Sequence, residues 1–165
     1  MKIKDYEDYF QLISENYDGF TEFHSVDINE FQDFFQSIRS ATGLVMVLES
    51  YTRAPAEHSN AELSDLVSGS LVVLDKFDPR ATTPKLSAMH LAEEAILQIR
   101  AKMVHDHQSQ CGIMEYLKPN SLGIVPVYAL TNEWAGFRME FSMEETEEIL
   151  PNGRWKTTFN TWGNG

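Results

Sequence analysis

Several residues of this chain stand at spacings that invite chemistry. His90, Glu93 and Glu94 fall at i, i+3 and i+4, so on a helix they share a face and could offer ligands to a metal ion. The set is short by at least one ligand, and the two glutamates suit a solvated helix face equally well. His105, His107 and Cys111 bring zinc-type donors close in sequence, yet neither Cys-x-x-Cys nor His-x-x-x-His spacing occurs. Positions i and i+2 diverge on a helix, so the two histidines read instead as helix C-terminal cations. Ser68-Gly69-Ser70 lacks the second glycine of a nucleophile elbow, and no glycine-rich phosphate loop is present. A Ser, a His and an Asp can be picked from any chain this long, so their presence is no evidence of a triad. The reading expects no catalytic residue, no cofactor and no metal, and hence no enzyme.

Composition narrows the partners. Lys and Arg total 13 against 25 Asp and Glu, a formal net charge of −12. Such a surface repels a phosphate backbone and an anionic membrane, so sequence-specific nucleic-acid binding and membrane association are not expected. Hydrophobic residues make up 42% of the chain, enough for a core. The single Cys111 cannot form an internal disulfide. "MKIKDYEDYF" turns acidic without an apolar stretch, and no run approaches the ~20 residues of a membrane span. The expected location is the cytoplasm, or a particle assembled there.

The elements that would position these residues follow from periodicity. Tyr6, Tyr9, Phe10, Ile13 and Tyr17 make one helical face, ended by Asp18-Gly19. Asp27 and Glu30 have capping-box spacing ahead of a second stripe, Ile28, Phe31, Phe34, Phe35 and Ile38, ended by Gly43. "LVMVLESY" (44–51) and "SLVVLDKF" (70–77) read as buried strands of a hairpin around a polar loop, 52–65. Pro84 suits the first turn of a long helix whose stripe is Met89, Ala92, Ile96, Ile99 and Met103. "GIVPVYAL" (123–130) reads as a strand, placed at an edge or bulge by Pro126, and "TNEWAG" turns into a returning strand, Phe137 to Met143. Its apolar face, Phe137, Met139, Phe141 and Met143, is expected to cover the long helix. The order α-α-β-β-α-β-β predicts an α+β fold: an antiparallel sheet of about four strands packed against a long helix, with two N-terminal helices. Residues 1–150 form one domain and 151–165 a C-terminal tail.

Three features suggest contacts beyond the domain. The 52–65 loop carries Arg53, Glu57 and His58 as candidate partner-contacting groups. Glu144, Glu145, Glu147 and Glu148 form an acidic run, read as a solvated strand end that could repel a polyanion or meet a basic partner. Trp155, Phe159 and Trp162 are bulky aromatics at a terminus, which either pack back on the domain or dock on a neighbour.

The layout resembles the tail terminator and tail-completion proteins of long-tailed bacteriophages and related contractile particles. The resemblance runs over residues 1–145: a helical N-terminus, a hairpin with a long loop, "SLVVLDKFDPRATTP" leading into a long helix, and the closing hairpin "VPVYALTNEWAGFRMEFSMEE". It implies a structural assembly protein that forms a ring of its own copies on a tail tube, using sheets and loops as contacts, and it carries over no individual residue. The alternative is a small cytoplasmic α+β domain that binds a ligand or a protein partner.

Overall fold

The computed structural model describes residues 2–27, 34, 38, 41–56, 64–80, 84–131 and 133–146. Helix α1 (Ile3–Asn16) opens the chain. Asp5 accepts the Lys2 backbone N–H at 3.2 Å, which satisfies one of the free donors at the helix start. Tyr6 and Phe10 are fully buried and Tyr9, Ile13 and Tyr17 pack at their margin, so the expected stripe is the core face. The helix stops ahead of Gly19, whose φ of +116° suits only glycine.

The next element departs from expectation. Phe20–Val26 is a strand, β1, and it runs parallel to β2 (Leu44–Pro55). A register shift between Phe20 and Glu22 breaks the two-residue alternation that would have revealed it. The second predicted N-terminal helix lies outside the described residues except for Phe34, which is helical, and Ile38.

β2 and β3 (Ser64–Lys76) form the long hairpin, followed by helix α2 (Pro84–Gln108). A 3-10 turn (Gly112–Tyr116) and a second one (Pro119–Ser121) lead into β4 (Gly123–Thr131) and β5 (Trp134–Thr146). Among the described residues the sheet has five strands in the order β1-β2-β3-β5-β4, with one parallel pair, where four antiparallel strands were expected. β4 is an outer strand, as Pro126 requires of a residue with no N–H to donate.

Both faces of the central strands are covered. On one face α1, α2 and the 3-10 turn bury Met46, Leu48, Leu71, Val73, Met139 and Phe141 together with Ala92, Ile96, Ile99 and Met103. On the other face Val45, Val47, Val72, Leu74 and Trp134 pack with Phe34, Ile38 and Ala41. Two-sided burial explains why "LVMVL" and "LVVL" are continuous apolar runs rather than alternating ones.

Candidate functional site

The helices α1 and α2 lie side by side over the sheet. Tyr9 faces Asp106 near the end of α2, while Tyr17 lies near Glu94, so the two helices run in opposite directions. Between them is a groove of about 610 Å³. Leu12, Ile13, Tyr17 and Ile99 give it an apolar lining, and Tyr9, Lys102, Asp106 and Cys111 stand at one end.

That end is an ordered polar cluster. The Tyr9 hydroxyl donates to Asp106 Oδ2 at 3.0 Å, and Lys102 Nζ lies 2.5 Å from both carboxylate oxygens. The Asp106 side chain is 5% exposed, and His105 Nδ1 approaches it at 3.4 Å. Burial pushes the Asp106 carboxyl up, but hydrogen bonds from Lys102, Tyr9 and His105 outweigh it and hold the group below its ordinary range. Burial, then the bond to Asp106, pushes the Tyr9 phenol far above its ordinary value, so it stays protonated and acts as a donor. The result is a neutral donor and a lysine-compensated carboxylate beside an apolar trough.

A second polar cluster sits on the opposite face. Glu49 of β2, Ser70 of β3 and Arg138 of β5 lie side by side across three strands. Arg138 Nη2 is 2.7 Å from Glu49 Oε2 and 3.2 Å from Ser70 Oγ, and Ser70 also hydrogen-bonds to Glu49. Glu49 and Ser70 are both buried. The ion pair spans the central strand β3 and links its two neighbours, β2 and β5.

The residues singled out by spacing lie mostly at the surface. His90, Glu93 and Glu94 are exposed on α2. His105 is exposed, His107 Nδ1 hydrogen-bonds to the Met114 carbonyl at 3.0 Å, and Cys111 is exposed. Among the described residues, no three His, Cys, Asp or Glu groups converge on a point that could hold a metal ion. Ser68 faces Ser142 across the β3–β5 pair.

The predicted 52–65 loop is shorter than expected, because β2 continues to Pro55 and β3 begins at Ser64. Alternation fades in "TRAP" and "SDLV"; "TRAP" pairs with β3, and "SDLV" is sustained on its other side by distant β5. Arg53 is therefore a strand residue, with ion pairs to Asp65 at 2.9 Å and Glu145 at 3.1 Å. Glu57, His58, Trp155, Phe159 and Trp162 lie outside the described residues. Of the acidic run, Glu144 binds Lys118 at 2.6 Å and Glu145 is buried, so this end of β5 is more enclosed than a solvated strand end. Glu147 and Glu148 lie outside the described residues.

Sequence reasoning missed both polar clusters. Lys102 and Asp106 have i, i+4 spacing, which signals an ion pair on a helix. Nothing local points from Tyr9 to Asp106, or from Glu49 to Arg138. Among the described residues no helix is long and apolar enough to cross a membrane. A scan of the chain against models of known protein families gives no match, and neither does a search of curated proteins.

Proposed function

We propose that the chain is a structural assembly protein of a phage or prophage tail-like particle, acting as a homo-oligomer that closes into a ring. The observation that carries the reading is the sheet's two outer strands. Among the described residues, β1 and β4 each pair along one side only, so both ends of the sheet offer backbone donors and acceptors to another copy. The net charge of −12 supports it, because a ring around a DNA channel must not grip the DNA.

The alternative, a domain that binds a ligand or partner, is favoured by the apolar groove between α1 and α2. Light scattering across a salt and concentration series separates the two. Self-repulsion keeps the acidic protein apart at low salt, and screening at higher salt lets it associate into a particle of fixed mass. Val125, an exposed apolar residue on outer strand β4, supplies the control. Val125→Lys should block the association and leave the melting temperature within about 1–2 °C, as for other surface changes. A protein that stays monomeric at every salt and concentration would leave the binding-domain reading as the better one.

A further inference from the structure

The groove between α1 and α2 does not end at the Tyr9–Asp106 cluster. It continues past Leu12 and Gly112 into an open hollow of about 740 Å³, which shares Tyr9, Leu12 and Gly112 with it. The hollow's rim carries three acidic side chains, Asp5, Asp8 and Glu115, beside the buried, Arg53-paired Glu145, and no lysine or arginine is among its lining residues. Leu12, which lines both, is 59% exposed, a large apolar side chain left open to solvent. A fitting occupant has aromatic or aliphatic anchors and positive charge.

The chain carries such a segment. Residues 151–165, "PNGRWKTTFNTWGNG", contain Arg154, Lys156, Trp155, Phe159 and Trp162 and no carboxylate side chain, in a protein that is otherwise strongly acidic. Its point of departure is also right. β5 ends at Thr146, next to Glu145, which is itself on the rim of the hollow. Trp155 is nine positions beyond Thr146, a reach of about 30 Å in extended chain. The side of α1 from Asp5 to Tyr17 spans only about 18 Å.

We infer that the Arg154–Trp162 segment seats in the α1–α2 groove of its own subunit, with its cations on the acidic rim and its aromatic rings over Leu12 and the apolar trough. Proximity favours the chain's own tail over a neighbour's, because tethering holds it at high effective concentration beside the site.

Cys111, the chain's one cysteine, lines the groove and reports on its occupancy. The rate of Cys111 modification by a bulky aromatic disulfide is measured in the full chain and in a chain truncated after Leu150. The full chain should react about tenfold more slowly, equivalent to about 1.4 kcal/mol of docking. The slowing should survive hundredfold dilution and weaken with added salt. Leu12→Lys, a change at an exposed position that should leave the melting curve in place, should speed the reaction in the full chain to the truncated rate. Equal rates in full and truncated chains, or a full chain indifferent to Leu12→Lys, would overturn the inference. Protection that vanishes on dilution would assign the groove to a neighbouring copy's tail and overturn it as well.

Discussion

Glu49 on β2 and Arg138 on β5 form an ion pair at 2.7 Å across the intervening strand β3, with the Ser70 hydroxyl bonded to both. Removing one partner leaves the other without its counter-charge. Arg138→Met should cost about 2–3 kcal/mol, less than the loss for a fully buried pair because the guanidinium side is a third exposed to water. The Glu49→Met/Arg138→Met double variant should be more stable than Arg138→Met alone, because no stranded carboxylate is left. Urea denaturation of the parent, Glu49→Met, Arg138→Met and the double variant checks this. Strict additivity of the single losses would show that the two residues are energetically independent.

Gly69 on β3 sits beneath α1. A Cβ there would overlap the Tyr6 hydroxyl and press on the Phe141 ring, so this strand position has to be bare for the helix to lie down. Gly69→Ala should destabilise by about 1–3 kcal/mol through overpacking. Tyr6→Phe alone should cost about 1 kcal/mol, since it removes the hydroxyl's bond to the Glu49 carbonyl at 3.1 Å. In the double variant the missing hydroxyl makes room for the methyl. Part of the Gly69→Ala loss should then return in thermal melts.

Ile96 on α2 and Phe141 on β5 both lie in the core between helix and sheet. Truncating either to alanine should cost about 2–5 kcal/mol. Melting within a degree or two of the parent for both variants would contradict the packing of α2 on β5.

Asp106 gives a pH dependence of known sign. Its carboxyl is held below the ordinary range in the folded protein, so its contribution is fully present above the unfolded carboxyl pKa of about 3.9 and is lost as pH falls through the folded value. Asp106→Asn should therefore be less stable than the parent at pH 7. The gap should close as the pH drops below about 4. Denaturant midpoints of parent and variant from pH 7 to pH 2.5 measure the gap directly. A gap that stays constant across this range would mean that the Lys102 and Tyr9 contacts contribute nothing to Asp106 ionisation.

Local patterns read α1 and α2 well. The Tyr6 and Phe10 stripe and the Ala92, Ile96, Ile99 and Met103 stripe both face the core, and Pro84 opens α2 as its ring geometry favours. Pro126 correctly marked an outer strand. β1 escaped because its bulge hides the alternation and its partner β2 is reached only through a crossover. The groove escaped for a different reason. Its walls come from Tyr9 and Asp106, far apart in sequence, and each looks ordinary within its own helix. The polar pair Glu49–Arg138 was half legible: β5 alternation set Arg138 opposite Met139, but the buried Glu49 that draws it in belongs to another part of the chain.

The sheet order has a consequence for how the protein is made. β3 is bonded on one side to β2, its neighbour in sequence, and on the other to β5, where Leu71 pairs with Met139. On the ribosome the β2–β3 hairpin emerges before α2 and β5, with a full edge of β3 unsatisfied and one face of "LVVL" incompletely covered until they follow. Non-local pairing of this kind is slow because loop closure comes before any gain from contact. The nascent chain therefore passes through a stage with an open, valine-rich strand edge. Its expression yield should depend on holdase chaperones and improve at low temperature, more so than that of a protein whose sheet closes in sequence order.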